Sequence, residues 1–314
     1  MFRQYKLRDF RLRLVVLVYA ISILSVFVIG SAAEEYQSQQ LLGIMMGSVI
    51  MLIFTLLDYR VLLNFSWVIY AVNLILLVAV IPFGVKVNGA RRWLKIGFFR
   101  FQPSELTKLA LIVFFAYFFV KYKEKLNSFK VIFISLVLLG IPLLLLKQQP
   151  HLSAMITICF IFCVLIFSAG LSYKIIGGII AVAVPTALIG INLILREGQN
   201  ILDAYQLKRI MAWLEPSKYA DDAYQQLNSV IAIGSGQLYG KGLYNTDISS
   251  VKNGNFIVEP QTDFIFAVTG EELGFIGCAT VIILLALITM ECLWIGKNAR
   301  DEEGMIICCG FGGL

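Results

Sequence analysis

Three carboxylates stand in an otherwise apolar stretch near the end of the chain. Asp263 comes first, and Glu271 and Glu272 follow about two helical turns later, just before a long apolar run. A carboxylate at the edge of a membrane loses hydration unless a polar cavity or a substrate compensates, so such residues are candidates for function. Partial burial raises the pKa of a carboxyl group and makes it a better general base near neutral pH. The structural alternative is that Thr262 or Asp263 caps the helix that follows.

A second group of candidates is basic. Residues 86–104 contain five cations and no acid, including Arg91, Arg92 and Lys95, with Trp93 among them. Arginine offers planar, bidentate hydrogen bonds that suit phosphate or pyrophosphate. This segment therefore indicates that the protein binds an anionic ligand. The alternatives are that the segment is attracted to anionic lipid headgroups, or that the predicted topology is inverted.

The basic segment leads into an apolar helix that carries a further charged pair. Gln102 precedes a proline suited to the first turn of a helix, and Glu105 and Lys108 are then neighbours on one helix face. The pair can stabilise the bundle or line a polar cavity, and entry from the basic segment favours the cavity. The only histidine, His151, lies in a predicted turn, where a lone histidine is more often exposed than catalytic.

A glycine-rich segment, residues 231–243, contains the last basic candidate, Lys241. Glycines at this density let backbone amides approach a ligand closely, or make turns. The pattern alone does not distinguish the two.

These residues must be positioned by membrane helices, because 59% of the chain is hydrophobic and only 15% is charged, against roughly 25% charged in a typical soluble domain. The six cysteines lie in apolar segments without a histidine at ligand spacing, so we interpret them as packing residues. A single histidine also excludes a histidine-rich metal site and the usual serine triad.

The sequence predicts an all-α, polytopic membrane helix bundle that forms a single domain over residues 1–314. Apolar runs long enough to span the bilayer are predicted at Leu14–Ala33, Leu41–Leu57, Leu62–Val85, Leu106–Val120, Val131–Leu146, Leu152–Gly170, Ile175–Leu195 and Gly270–Ile295. A ninth begins near Met305 and contains only about ten of the roughly 20 residues that a span needs, so we expect it to be cut off.

Lysine and arginine in the short loops predict a cytoplasmic N-terminus. The loop at residues 34–40 and the larger loops at about 86–104 and 196–263 are then external. An amphipathic interface helix is predicted within the last of these, at residues 204–214.

Four motifs in order resemble the RodA/FtsW family of bacterial cell-wall polymerases, also called SEDS proteins. The motifs are Asn88–Leu94, Gln102–Lys108, Tyr224–Leu243 and Glu259–Gly277. The resemblance implies ten membrane helices, so this chain would lack most of the ninth and all of the tenth. It also implies a glycosyltransferase of the bacterial plasma membrane that polymerises lipid II at the outer face, together with a class B penicillin-binding protein.

The resemblance assigns roles to individual residues. The family's essential acid falls on Asp263, its tryptophan and arginine on Trp93 and Arg92, and its helix-borne glutamate and lysine on Glu105 and Lys108. One motif differs from that of the family: the family usually has Pro-Asp-Leu-Gly-Thr where this chain has Pro-His-Leu-Ser-Ala at residues 150–154. No role is carried over to that turn.

We therefore expect Asp263 to act as general base, while Arg91 and Arg92, helped by Lys95 or Lys241, hold the lipid pyrophosphate. Gln102 belongs to the same predicted substrate site. The substrate tail is expected in a groove between helices. No cofactor is predicted with certainty, although a divalent cation can accompany the pyrophosphate, and no nucleic-acid partner is predicted. The alternatives are a transporter of the lipid-linked precursor and a scaffold without catalysis.

Overall fold

The computed structural model describes residues 10–314 except 88–89, 97–98, 150, 195–210, 213, 217, 247–249, 251–253 and 255. The helices of this part are α1 (Leu12–Ala32), α2 (Glu34–Leu56), α3 (Tyr59–Asn64), α4 (Ser66–Phe83), α5 (Pro103–Lys121), α6 (Phe129–Gln148), α7 (Leu152–Ser168), α8 (Tyr173–Ile194), α9 (Ala220–Ser235), α10 (Ile265–Lys297) and α11 (Glu302–Gly312). Most of the predicted interface helix at 204–214 lies outside the described residues.

The predicted membrane helix bundle is confirmed. Among the described residues, six helices are long and apolar enough to cross a bilayer, namely α1, α2, α4, α5, α6 and α10. The apolar helix α7 is slightly shorter, α8 covers most of the seventh predicted span, and α11 contains the beginning of the ninth.

Two predicted boundaries were wrong. Residues 34–40, predicted as a loop, form the first turns of α2, and only Ala33 separates this helix from α1. Glu34 and Glu35 lie in the first turn of α2, where the positive end of the helix dipole stabilises acids. The third predicted span is divided at Phe65 into α3 and α4.

A small sheet, which the all-α prediction did not include, lies in the basic segment. Strands β1 (Val85–Val87), β2 (Ala90–Ile96) and β3 (Phe99–Phe101) are antiparallel in the order β1-β2-β3. Val85 pairs with Trp93 and Lys86 with Arg91, so the pairing skips Arg92 and a β-bulge interrupts the alternation of side chains along β2 at this arginine.

The chain forms two compact units. The first comprises residues 1–10, 53–178 and 288–314. Its core centres on α5, whose Phe114, Phe115 and Phe119 are fully buried. Phe115 stacks on Phe119 and makes edge-to-face contacts with Phe114 and with Phe162 of α7. Lipid is as apolar as these side chains, so close packing, rather than burial from water, stabilises such a core.

The second unit comprises residues 11–52 and 179–287. A small cluster of Ala232, Ile257 and Ala267 is buried in it, with Ile233 and Phe264 packed against it. This cluster joins α9 to the beginning of α10.

Within the first unit, Asp301 caps the N-terminus of α11. Its Oδ1 accepts a hydrogen bond from the Gly304 N–H at 2.9 Å, and its Oδ2 accepts from the Tyr59 hydroxyl and from Arg60 Nη2 at 3.0 Å. Burial opposes ionisation of Asp301, but these hydrogen bonds outweigh burial and lower its pKa. Burial and the neighbouring carboxylate raise the pKa of Tyr59 to about 12, so its hydroxyl remains a donor.

Asp301→Ala is expected to reduce the free energy of unfolding by about 2 kcal/mol, because the helix cap and two side-chain partners are lost together. A group with a lowered folded-state pKa stabilises the fold above its ordinary value, here 3.8, and loses this effect as the pH falls through the lowered value. The difference between wild type and variant should therefore shrink in acid.

Thermal unfolding in detergent at several pH values measures both effects. Glu124→Gln, which changes an exposed acid in the same unit, is the matched control and should leave the melting temperature unchanged. Equal melting temperatures for wild type and Asp301→Ala at neutral pH would show that this cap is not needed.

Candidate functional site

Asp263 lies two residues before the start of α10 and is exposed. In the part of the chain that the structure describes, its carboxylate has no hydrogen-bond or ion-pair partner. Thr262 does not cap α10 either, because its hydroxyl donates to the Glu259 carbonyl at 3.3 Å. Asp263 is therefore an accessible carboxylate that can accept a proton.

The turn that carries Asp263 is held on both sides. Glu259 has a φ of 56°, which is uncommon for a residue with a side chain, and its carboxylate accepts a hydrogen bond from Gln261 Nε2 at 2.7 Å. On the other side, Phe264 packs against the buried cluster of Ala232, Ile257 and Ala267. These contacts fix the backbone around the acid.

A break in α10 follows about three turns after this acid. Gly274 has φ 64° and ψ −160°, so the helical hydrogen-bond ladder is interrupted there. The N–H groups of Phe275 and Ile276 donate instead to the carbonyls of Gln237 and Leu238, at 2.8 and 3.3 Å. Every backbone polar group in hydrocarbon must be satisfied within the protein, and the glycine-rich segment supplies these partners.

The same segment also donates to α10. The N–H groups of Lys241 and Gly242 bond to the carbonyls of Glu271 and Glu272, each at 2.9 Å. A Cβ added to Gly240 would lie 2.1 Å from the Glu272 carbonyl oxygen, so only glycine permits this approach. The glycines thus bring backbone against backbone, a role that the sequence did not reveal.

Glu271 and Glu272 stabilise the contact between the glycine-rich segment and α10. Lys241 Nζ lies 2.7 Å from Glu271 Oε1, and Glu271 is only 1% exposed. Glu272 Oε1 accepts from the Ser31 hydroxyl at 2.7 Å, and Ser31 Oγ accepts from the Tyr244 N–H at 2.7 Å. Sequence reasoning missed Ser31, since nothing in a serine at the end of an apolar helix marks it as a partner of a distant glutamate.

In the first unit, the adjacent arginines diverge. Arg92 Nε donates to the backbone carbonyl of Gln149 at 3.2 Å, in the turn between α6 and α7. Arg91 Nη1 donates to the Ile81 carbonyl at 3.5 Å, near the C-terminal end of α4. Trp93, half-buried, pairs in the sheet with Val85.

The structure brings five predicted or considered residues together around the α6–α7 turn, namely Arg92, Gln102, Glu105, Lys108 and His151. Gln102 Nε2 lies 3.5 Å from His151 Nδ1, and Lys108 Nζ lies 2.7 Å from Glu105 Oε2. Burial and then the positive charges of Arg92 and Lys108 lower the pKa of His151, whereas Glu105 opposes them. Lys95 is exposed and does not join this group.

Lys108 also lies at one side of an apolar crevice between α5, α6 and α7. The crevice is too narrow to admit a water molecule. Its other lining residues are all apolar: Leu111, Phe115, Leu139, Ile158, Ile161, Phe162 and Leu165.

The chain was compared with known proteins. The model of the FtsW/RodA/SpoVE family, described as cell cycle proteins, matches residues 8–314. The chain belongs to this family. The RodA/FtsW resemblance found in the sequence motifs is therefore confirmed.

Curated relatives and solved structures agree with this membership. The chain is 35% identical to the peptidoglycan glycosyltransferase MrdB of Escherichia coli K12, over 95% of this chain and 78% of the relative. It is 30% identical to the probable peptidoglycan glycosyltransferase FtsW of Trichlorobacter lovleyi, over 98% and 81%.

Two solved structures are similar at 25% identity. One is a chain in a study of polymerization and crosslinking by a peptidoglycan synthase complex, with a TM-score of 0.76 over 97% of this chain and 83% of that one. The other is the rod shape determining protein RodA of Thermus thermophilus, with a TM-score of 0.65 over 97% and 81%.

Gly240→Ala tests the close approach of the glycine-rich segment to α10. Because the new Cβ would overlap the Glu272 carbonyl, we expect the variant to lower the melting temperature far more than Gly242→Ala. Gly242 is the matched control, since it also has a positive φ but open space around its added Cβ, and should cost only about 1–2 kcal/mol. Equal losses would contradict the docking contact.

The ion pair of Lys241 with Glu271 can be tested by a double-mutant cycle. Lys241→Met removes the cation beside a buried carboxylate and should destabilise the fold by about 3 kcal/mol. Adding Glu271→Gln should recover a large part of this loss, because the buried negative charge is then removed too. Strict additivity of the two changes in thermal unfolding would show that the pair is not coupled.

Proposed function

We propose that the chain is a peptidoglycan glycosyltransferase that polymerises lipid II into glycan strands. The observation that carries the proposal is the accessible carboxylate of Asp263, held on a fixed turn. It occurs in a family whose relatives are named peptidoglycan glycosyltransferases.

In this reaction Asp263 accepts the proton of the acceptor sugar hydroxyl. The hydroxyl oxygen then bonds to the anomeric carbon of the donor, and the bond from that carbon to the pyrophosphate oxygen breaks. The leaving group is a lipid pyrophosphate, whose developing charge requires fixed positive groups. Arg92 and Lys108 are suitable, because both belong to the polar cluster near the α6–α7 turn.

The other predicted cations receive different roles. Arg91 and Lys95 are exposed, and Arg91 donates to the Ile81 carbonyl rather than in the α6–α7 turn, so we assign them to attracting the anionic substrate and lipid headgroups. Lys241 is paired with Glu271, and we assign it to positioning the helix that follows Asp263.

The apolar tail of the substrate fits the chemistry of the crevice between α5, α6 and α7, which begins at Lys108. Because the crevice is too narrow to admit a water molecule, the helices would have to separate to admit any part of a polyprenyl chain. A divalent cation would be held chiefly by the phosphate oxygens of the substrate. Among the described residues no three side chains of His, Cys, Asp or Glu cluster as metal ligands.

The positive-inside pattern supports a cytoplasmic N-terminus and an active site on the extracytoplasmic face of the plasma membrane. We further propose that a class B penicillin-binding protein crosslinks the strands as they are made. The solved peptidoglycan synthase complex of similar fold, which coordinates polymerization and crosslinking, supports this assignment.

Asp263→Asn is expected to lower the polymerisation rate at saturating lipid II by at least about 100-fold, because a general base contributes roughly that much or more. The measurement is glycan formation from lipid II by the purified protein with its partner. The matched control is Glu124→Gln, which changes an exposed acid that has no part in the site and should retain most activity. Near-wild-type turnover by Asp263→Asn would overturn the assignment.

A further inference from the structure

We infer that a pocket at the turn between α7 and α8 binds an anionic phospholipid of the inner leaflet. Lys174 holds the phosphate, and the rings of Phe167 and Tyr173 contact the apolar part of the lipid. The inference goes beyond the polymerisation of lipid II. It rests on the proposed function only for the topology, which places this turn on the cytoplasmic side of the membrane.

The first observation is the pocket itself. Its volume is about 360 Å³, which lies within the range of small-molecule sites. The lining contains one cation and two aromatic rings, a combination that suits a molecule with an anionic end and an apolar end. The lining residues are Phe167, Gly170, Leu171, Ser172, Tyr173 and Lys174.

The second observation is that the turn around the pocket is held by hydrogen bonds. Gly170 has a φ of 93°, and the Leu171 N–H donates to the Ile166 carbonyl at 3.3 Å, as in the Schellman motif that ends many helices. The Ser172 N–H donates to Asn127 Oδ1 of the α5–α6 turn at 2.8 Å. The backbone of the pocket is therefore fixed by the protein's own contacts.

The third observation is the exposure of the two rings. Phe167 is 55% exposed and Tyr173 is 79% exposed, and their rings meet edge to face with centroids 6.3 Å apart. Aromatic side chains at the ends of membrane helices lie at the level of the lipid headgroups. Both rings are thus available to the glycerol and the upper acyl chains of a lipid.

The fourth observation is the charge around the pocket. Lys174 is exposed and forms no ion pair with a described residue. The α5–α6 turn, which Asn127 joins to the pocket, adds Lys125, which is likewise exposed and has no ion-pair partner among the described residues. Basic pockets between helices on the cytoplasmic side suit anionic lipid headgroups. The negatively charged inner leaflet supplies such lipids next to the pocket.

Native mass spectrometry of the full chain in detergent tests this site. We expect phosphatidylglycerol to bind about tenfold more tightly than phosphatidylcholine with the same acyl chains. Lys174→Gln should weaken phosphatidylglycerol binding about tenfold, because a hydrogen bond between two charged groups is lost. Lys297→Gln, which changes an exposed lysine in the last turn of α10, is the matched control and should bind normally.

A second pair of variants tests the apolar part of the pocket. Phe167→Ala should weaken phosphatidylglycerol binding about fivefold through the loss of ring contacts. Phe129→Ala removes an exposed ring at the start of α6, outside the pocket lining, and should have no effect. All four changed side chains are exposed, so thermal unfolding should give wild-type melting temperatures.

The outcomes distinguish a site from general attraction. Equal losses in Lys174→Gln and Lys297→Gln, or equal binding of the two phospholipids, would overturn the pocket. Displacement of phosphatidylglycerol by a polyprenyl pyrophosphate would overturn the phospholipid assignment and favour a transporter of the lipid-linked precursor. Binding is measured without lipid II, so a failure of polymerisation leaves this result unaffected, and loss of the pocket leaves the role of Asp263 intact.

Discussion

The hydrogen bonds between the glycine-rich segment and the broken part of α10 are the constraint on which the second unit depends. A transmembrane helix that breaks at Gly274 leaves N–H and C=O groups that lipid cannot satisfy. Four backbone hydrogen bonds from residues 237–242 replace the missing ladder. This exchange requires the two backbones to touch, which explains why glycine is needed at Gly240.

The docked segment also organises the charges of this unit. Two acids at the inner end of the stretch would be costly in hydrocarbon if they stood alone. Glu271 pairs with Lys241, and Glu272 accepts a hydrogen bond from Ser31. Asp263 is different, because it is exposed and without a partner in the described residues. The structure thus separates acids that hold the fold from an acid that is available for chemistry.

Much of the fold follows from the sequence, because hydrophobic runs of sufficient length specify membrane helices. The features that the sequence prediction placed wrongly are those that depend on polar residues or on backbone geometry. Residues 34–40 were predicted as a loop because they are polar. Two of them are acids, however, and acids are stabilised by the helix dipole at the start of α2. The strands of the basic segment are short, and their pairing has no strong local signal.

The types of residue in the candidate site could be predicted from the sequence, but not which of these residues lie close together. Asp263 stood out because an acid beside an apolar run needs a reason, and the family resemblance distinguished it from Glu271 and Glu272. Arg91 and Arg92 have different partners at a bulge in β2, where the strand pairing skips Arg92, and no pattern in the sequence marks this bulge. The position of His151 beside Gln102 depends on two helix ends meeting, and no spacing in the sequence encodes that.

The most direct test of the central claim is product analysis with the purified chain and its partner in liposomes containing lipid II and no other polymerase. An enzyme of the proposed kind must produce glycan strands and release one lipid pyrophosphate for each sugar linkage formed. Transfer of intact lipid II between the two leaflets, without polymer or released lipid pyrophosphate, would contradict the account and identify a transporter instead.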